Sequence, residues 1–176
     1  MLIKAIFAGF GGQGVLSMGL SLAQAAMLEG RNVTYLPSYG AEVRGGTANC
    51  TVAISDEEIA SPVASSPDFV VAMNQPSLLR FQNQVQSGGV LFFNSSLVES
   101  EIGRGDIEVI GVPANRMAED LGSPKSANMV MLGAFTRKSN LVSLATLIEG
   151  LGSTLKKKEK LVAINKKALM AGYELF

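Results

Sequence analysis

A glycine-rich segment near the start of the chain is the strongest local pattern for binding chemistry. It reads Gly9-Phe10-Gly11-Gly12-Gln13-Gly14 and satisfies the spacing G-x-G-x-x-G. Glycines allow a tight turn, and the N-terminus of a following helix offers free N–H groups and a positive dipole end to an anion. This glycine turn therefore predicts either a phosphate-bearing ligand or a structural or interface role, in which a helix and a strand pack closely.

A dinucleotide site of the NAD type is disfavoured. Such sites need an acidic residue about 20 positions further on, at the end of the second strand, to hold the ribose hydroxyls. Here the predicted second strand ends in Leu36-Pro37-Ser38, without an acid. Gln13 precedes the last glycine of the turn, and its polar side chain suits a hydrogen bond to another loop or to a partner.

A second polar segment, here called the second loop, follows that strand as Ser38-Tyr39-Gly40-Ala41-Glu42-Val43-Arg44-Gly45-Gly46. Arg44 can bind a carboxylate or phosphate through two parallel hydrogen bonds, and Glu42 can pair with Arg44 or with a partner's cation. The carboxyl ends of parallel strands meet at one edge of a sheet, where ligands bind. We therefore expect the second loop beside the glycine turn. The alternative is an ordinary surface loop with a local Glu–Arg pair.

Hydrophobic periodicity predicts the elements that position these loops. A strand over residues 2–8 precedes the turn, a helix over 15–28 follows it and ends at Gly30, and Pro37 helps to stop a strand over 33–36. Residues 47–55 predict an antiparallel strand with Cys50, Val52 and Ile54 on one face. Further strands are predicted at 69–73, 90–93 and 107–112, and further helices at 75–85, 113–121, 127–136, 144–155 and 161–169. This order predicts one domain over residues 1–176, a three-layer α/β/α, Rossmann-like fold with a mostly parallel mixed sheet.

Composition excludes several kinds of chemistry within this chain. The 176 residues include no histidine and one cysteine, Cys50, so histidine triads, histidine metal sites and an iron–sulfur cluster bound by this chain alone are excluded. Cys50 is expected to be a buried structural thiol. Fifteen basic and fifteen acidic residues cancel, which gives no attraction to nucleic acid, and six lysines near the C-terminus predict a solvated helix face.

The chain also lacks the marks of a membrane or secreted protein. No apolar run reaches the roughly 18 residues of a membrane span, and no secretory signal is evident, so we expect a cytoplasmic protein. Only 17% of the residues are charged, against about 25% in an average soluble domain. So few charges hint at apolar surface that a partner subunit covers.

The glycine turn and the second loop together resemble the gamma subunits of 2-oxoacid:ferredoxin oxidoreductases. Other segments continue the resemblance: Ile54-Ser55-Asp56-Glu57-Glu58-Ile59, Ser66-Pro67-Asp68 and Gly111-Val112-Pro113-Ala114. Phe10, Val43 and Gly46 look more like the 2-oxoglutarate or generic 2-oxoacid members than like the pyruvate members. The resemblance covers essentially the whole chain.

This resemblance implies an enzyme that works only as a complex. Such enzymes decarboxylate a 2-oxoacid on thiamine diphosphate with Mg²⁺, pass electrons through iron–sulfur clusters to ferredoxin, and deliver the acyl group to coenzyme A. The partners implied are alpha and beta subunits and a ferredoxin-like delta subunit, which hold the thiamine diphosphate and the clusters. This chain is expected to contribute no catalytic residue and no metal ligand. Its candidate residues for contact with coenzyme A or another subunit are Gly9, Gly11, Gly12, Gln13, Gly14, Ser38, Tyr39, Glu42, Arg44 and Gly45.

Two other function classes compete with this interpretation. The chain could be a free-standing phospholigand- or nucleotide-binding regulatory module, or an adaptor that organises an oxidoreductase without touching a ligand. Neighbouring genes for a thiamine-binding chain and a cysteine-rich, ferredoxin-like chain would favour the complex. A monomer that binds a nucleotide alone would favour the module.

Overall fold

The computed structural model describes residues 1–39, 46–154 and 158–176. Two short 3-10 turns, Gln82–Gln84 and Pro124–Ser126, supplement the main elements. The strands are β1 (Leu2–Phe10), β2 (Asn32–Tyr39), β3 (Thr47–Ser55), β4 (Phe69–Ala72), β5 (Val90–Asn94) and β6 (Glu108–Val112). The helices are α1 (Val15–Leu28), α2 (Gln75–Phe81), α3 (Ala114–Asp120), α4 (Ala127–Ser139), α5 (Leu144–Thr154) and α6 (Glu159–Tyr173).

The strands form one six-stranded mixed sheet in the order β2-β3-β1-β4-β5-β6. β1, β4, β5 and β6 are parallel, while β3 is antiparallel to both β1 and β2. The antiparallel entry of residues 47–55, predicted because no helix precedes them, is confirmed. β3 lies between β1 and β2, which therefore run in the same direction without touching.

Helices cover both faces of the sheet because side chains alternate along each strand. Phe7 and Phe92 face a core shared with α1, α3, α4, α5 and α6, whereas Ile6 and Leu91 face a smaller core shared with α2. The ring of Phe135 on α4 packs against Phe7 at a centroid distance of 5.2 Å. The expected three-layer α/β fold is confirmed, although most of its helices lie on one face.

Several element boundaries differ from the predicted ones, and two of these differences have a clear physical reason. β2 does not stop at Pro37 but continues through it to Tyr39. β2 is an edge strand, and proline is tolerated at an edge because its missing N–H need not break a ladder on both sides. As a consequence, Ser38 and Tyr39 belong to the strand and not to the loop. The helix predicted over 75–85 ends at Phe81 and tightens into the 3-10 turn Gln82–Gln84, a common ending for a helix.

Helices α4 and α6 cross at two glycines that allow their backbones to touch. A Cβ atom on Gly133 would collide with the carbonyl oxygen of Leu169, and a Cβ on Gly172 would collide with the carbonyl oxygen of Val130. Because the atoms in the way belong to backbone, they cannot rotate aside. The position of α6 on the molecule therefore depends on glycine at both places.

We predict that Gly133→Ala or Gly172→Ala lowers the free energy of unfolding by about 1–3 kcal/mol, because the added methyl group forces the helices apart. Gly150→Ala in α5 is the matched control, since a Cβ there meets no described atom within 4 Å. The control should be neutral or stabilise by about 0.5–1 kcal/mol through helix propensity. Urea unfolding measures all three, and equal effects would contradict this account of the crossing.

Candidate functional site

The glycine turn lies at the carboxyl edge of the sheet, between the end of β1 and the start of α1. The Gln13 N–H donates to the Phe10 carbonyl oxygen at 3.1 Å and closes the turn. Gly12 and Gly14 have φ angles of 97° and 74°, which side chains rarely allow. The sequence pattern therefore identified a real turn, and its last glycine is the residue before α1.

Three glycines of this turn, Gly9, Gly12 and Gly14, have different surroundings. A Cβ on Gly9 would lie 2.6 Å from Gln13 Oε1, and a Cβ on Gly14 would collide with the Asn128 side chain. Gly9 and Gly14 are therefore required by close packing. A Cβ on Gly12 meets no described atom within 4 Å, so Gly12 is open to whatever approaches this edge.

The end of the second loop meets the glycine turn, as the topology argument predicted. The Gly11 N–H donates to the Gly46 carbonyl oxygen at 2.8 Å. Ser38 is exposed near the end of β2, and the backbone of Tyr39 pairs with Ala48 on β3. The other predicted residues of this loop, Glu42, Arg44 and Gly45, lie outside the described residues.

The Gln13 side chain joins the carboxyl ends of β1 and β4. Its Oε1 accepts hydrogen bonds from the Phe10 N–H at 2.7 Å and from Asn74 Nδ2 at 2.9 Å, and its Nε2 donates to the Met73 carbonyl oxygen at 3.3 Å. Asn74 Oδ1 in turn accepts from the Ser77 N–H and caps α2. The expectation that Gln13 bonds to another loop is confirmed.

Two further asparagines extend this series of hydrogen-bonded side-chain amides: Asn94 at the end of β5 and Asn115 in α3. Asn94 Nδ2 donates to the Met73 carbonyl oxygen at 3.2 Å and to Asn115 Oδ1 at 2.7 Å. Asn74 and Asn94 are buried, so the hydrogen bonds offset the cost of removing their amides from water. We call Gln13, Asn74, Asn94 and Asn115 the carboxamide network. The sequence analysis missed its three asparagines, although Asn74 and Asn94 each stand where a strand of the parallel sheet ends.

The network occupies the place where an open α/β sheet usually binds its ligand. β1 leads into α1 on one face of the sheet and β4 leads into α2 on the other, so their carboxyl ends form a topological switch point. Gln13 bridges the two strand ends there. The cavities described at this edge lie on the flanks of the glycine turn.

One flank of the glycine turn is an apolar cavity of about 470 Å³. It is lined by Phe10, Gly11, Gly12, Gly14, Val15, Leu16 and Ala48, and so none of the described residues around it is charged. The first turn of α1 has neither a capping side chain nor an acid among the described residues. This flank combines open helix N–H groups with an apolar wall.

Cys50 lies on β3 with Val52 and Ile54 against α1, and its side chain is fully buried. Burial raises the pKa of the Cys50 thiol to about 12, so it stays protonated near neutral pH. The interpretation of Cys50 as a buried structural thiol is confirmed.

The motif Ser66-Pro67-Asp68 lies at the opposite edge of the sheet from the glycine turn. Asp68 Oδ2 accepts from the Lys4 N–H at 2.7 Å, and Asp68 Oδ1 accepts from Gln86 Nε2 at 2.6 Å. Asp68 therefore ties the starts of β1 and β4 to the segment before β5. Its role is structural.

Searches for other kinds of site within the described ranges give negative findings. Over residues 1–39, 46–154 and 158–176, no three His, Cys, Asp or Glu side chains gather as metal ligands would. None of the helices described is both long enough and apolar enough to cross a membrane.

Comparison with protein families and curated proteins gives a consistent result. Residues 4–175 match the family described as pyruvate ferredoxin/flavodoxin oxidoreductase. The ketoisovalerate oxidoreductase subunit VorA of Methanothermobacter thermautotrophicus is 43% identical over 98% of this chain and 36% of its own length. The 2-oxoglutarate synthase subunit KorC of Methanothermobacter marburgensis is 40% identical over 84% of this chain and 83% of its own length. The chain thus spans about a third of VorA but most of KorC.

Two solved structures share the fold. The gamma subunit of a keto/oxoacid ferredoxin oxidoreductase from Geobacter sulfurreducens has a TM-score of 0.83 and 30% identity, covering 98% of this chain and 96% of that one. The 2-oxoglutarate:ferredoxin oxidoreductase from Magnetococcus marinus, with 2-oxoglutarate, coenzyme A and succinyl-CoA bound, has a TM-score of 0.91 and 27% identity. That match covers 99% of this chain and 31% of the Magnetococcus chain.

We predict that Gln13→Ala lowers the free energy of unfolding by about 1–3 kcal/mol, because it leaves Asn74 and the Met73 carbonyl oxygen with fewer partners. Gln84→Ala is the control, since among the described residues the Gln84 side chain makes only a long 3.4 Å hydrogen bond to the Arg80 carbonyl oxygen. Its effect should stay within about 0.5 kcal/mol. Equal losses for both variants in urea unfolding would contradict the bridging role of Gln13.

Proposed function

Because the chain belongs to the pyruvate ferredoxin/flavodoxin oxidoreductase family, we propose that it serves as the gamma subunit of a multi-subunit 2-oxoacid:ferredoxin oxidoreductase. In this proposal the complex oxidises and decarboxylates a 2-oxoacid, transfers the acyl group to coenzyme A and passes the electrons to ferredoxin. The observation that carries the proposal is the full-length correspondence with the Geobacter gamma subunit and with KorC. That correspondence favours a subunit over a free-standing regulatory module.

The residues of this chain do not fit the redox groups of such a complex. An iron–sulfur cluster needs several cysteine thiolates, whereas the chain has one cysteine, which is buried and protonated. We therefore assign thiamine diphosphate, Mg²⁺ and the clusters to alpha, beta and ferredoxin-like delta partners. A cytoplasmic location belongs to the same proposal, since a free thiol suits a reducing compartment.

The identity of the 2-oxoacid is the least constrained part of the proposal. The sequence favours the 2-oxoglutarate type, yet relatives named for ketoisovalerate and for 2-oxoglutarate match this chain at 43% and 40% identity. Similar identities to subunits of enzymes with different substrates suggest that the oxoacid is selected by other subunits. We therefore propose a general 2-oxoacid enzyme, with 2-oxoglutarate and 2-oxoisovalerate as the substrates to test first.

For the chain itself we propose contact with coenzyme A or with a partner subunit through the edge that carries the glycine turn and the second loop. Support comes from three features of that edge. Gly12 is open, α1 begins without a side-chain cap among the described residues, and the adjoining cavity has an apolar wall. Polypeptide N–H groups at a helix start suit an anion, and apolar walls suit a neutral chain or a partner's side chain.

We predict that the chain, expressed together with the products of its neighbouring genes, purifies as a complex. That complex should reduce ferredoxin only when both a 2-oxoacid and coenzyme A are present. Activity should be measured with 2-oxoglutarate, 2-oxoisovalerate and pyruvate, and with preparations that lack this chain as the control. A complex that works equally well without the chain, or a chain that stays monomeric and binds a nucleotide alone, would overturn the proposal.

Substitution of Gly12 tests the proposed edge, because a side chain there meets no described atom of the chain itself. We predict that Gly12→Asn leaves folding nearly intact, because asparagine tolerates a positive φ better than most residues. The substitution should impair either assembly of the complex or its KM for coenzyme A at least fivefold. Loss of assembly would indicate a subunit contact, and a raised KM for coenzyme A in an intact complex would indicate a ligand contact. Arg44→Ala tests the second loop in the same assay. If both variants match the unaltered complex, the edge has neither role.

A further inference from the structure

Gly12 also lines a second, smaller cavity at the carboxyl edge of the sheet. Its volume is about 230 Å³, and its walls come from the glycine turn, the end of β4, the start of α3 and the 3-10 turn before α4. The residues around it are Gly12, Gln13, Met73, Asn115, Pro124, Lys125 and Ala127. Three of these side chains are polar, and each of them offers hydrogen-bond donors to the cavity: Gln13, Asn115 and Lys125.

The orientation of Asn94 is determined by backbone groups. The Met73 carbonyl oxygen can only accept a hydrogen bond, and the Ser96 N–H can only donate one. The Nδ2 of Asn94 therefore faces Met73, and its Oδ1 faces Ser96. Both hydrogens of that Nδ2 are used, one on Met73 and the other on Asn115 at 2.7 Å.

The orientation of Asn115 follows from that of Asn94. A donor from Asn94 must meet an acceptor, so the atom of Asn115 that faces the network is its Oδ1. The NH₂ group of Asn115 is then turned away from Asn94, and the described residues give it no acceptor. The hydrogen bond to Oδ1 therefore fixes the orientation of the Asn115 amide and leaves its NH₂ group as a donor.

Gln13 offers a donor for the same reason. Its Oε1 already accepts from Phe10 and Asn74, which uses both lone pairs. Its Nε2 has two hydrogens and donates only one, to Met73, and no acceptor for the other is found among the described residues. Met73 borders the same cavity, and its carbonyl oxygen already accepts from two amide donors.

Lys125 adds a positive charge to these donors. It is exposed beside the cavity and has no ion pair within the described part of the chain. None of the described residues that line the cavity itself is acidic. Arg116 and Glu119 line an adjoining cavity of about 620 Å³ that shares Asn115.

We propose that this donor cavity binds an oxyanion, the phosphate group of a larger ligand, through Gln13, Asn115 and Lys125. A phosphate is an acceptor that matches a wall of donors with one cation. The cavity is large enough for one such group but not for a nucleotide. The rest of the ligand therefore extends into the neighbouring cavity that shares Gly12 or the one that shares Asn115.

The oxyanion site rests on this geometry, and only the naming of coenzyme A as its ligand rests on the proposed function. Coenzyme A has several phosphates, and a 2-oxoacid has a carboxylate with the same acceptor chemistry. Pyrophosphate, coenzyme A and 2-oxoglutarate are therefore the three probes that separate the sources of the oxyanion.

The test is calorimetric titration of each probe into the full chain. Asn115→Asp is the decisive variant, because its first carboxylate oxygen keeps the hydrogen bond from Asn94 while the second replaces the donor by a negative charge. We expect it to weaken pyrophosphate and coenzyme A binding at least tenfold. Lys125→Met should also weaken both. Lys167→Met on α6 removes the same charge from an exposed position and should leave the Kd unchanged.

Thermal unfolding of each variant first establishes that it is folded. If the unaltered chain, Asn115→Asp and Lys167→Met share one Kd for pyrophosphate, or if none of them binds any probe, the oxyanion site is overturned. If only 2-oxoglutarate responds to Asn115→Asp, the phosphate assignment is overturned in favour of a carboxylate. These titrations need no partner subunit, so their failure leaves the oxidoreductase proposal standing, and their success does not depend on it.

Discussion

The hydrogen bonds of the Gln13 side chain determine how the carboxyl edge of this sheet is built. A carboxamide is the right group for that position because it accepts from the β1 backbone and from Asn74 while it donates to the β4 backbone. It reaches all three only because Gly9 leaves room for it, since a Cβ there would lie 2.6 Å from Gln13 Oε1. Gly9 is thus explained by the glutamine that it accommodates, whereas Gly14 leaves room for the Asn128 side chain.

The Gln13 side chain also affects where this fold can bind a ligand. In an open α/β sheet the switch point is the usual place for a nucleotide, and here a side chain of the protein occupies it. We therefore propose that binding takes place on the two flanks of the glycine turn. One flank is apolar, and the polar side chains of the other are two amides and a lysine. This suggests a ligand or partner with a neutral part and an anionic part.

The residue composition of the chain fits its proposed place in a larger assembly. Cys50 is buried against α1 with its pKa raised to about 12, and the chain has no histidine. What the chain can supply is a carboxyl edge of the sheet that is fixed by the hydrogen bonds of Gln13. Asp68 ties the opposite edge of the sheet through its bonds to Lys4 and Gln86, and the α4–α6 crossing fixes the helical layer through Gly133 and Gly172.

Local pattern was sufficient for much of the fold. Helix α1 was predicted over the residues that it occupies. Its periodic apolar residues and the glycines near both of its ends lie close together in the sequence. The antiparallel entry of β3 followed from the missing crossover helix. The extension of β2 through Pro37 was not predictable, because whether a proline breaks a strand depends on its being at the edge, and strand order is not encoded locally.

The sequence by itself determined the family, the α/β class and the two loops in which a site should be sought, since each rests on residues close together in the chain. The tertiary structure alone decided which side chains meet there. Gln13 and Asn74 are 61 positions apart, and Asn94 and Asn115 are 21 apart. They come together because β1, β4 and β5 lie side by side. In this packing Gln13 and Asn94 both donate to the Met73 carbonyl oxygen, and Asn115 takes its orientation from Asn94.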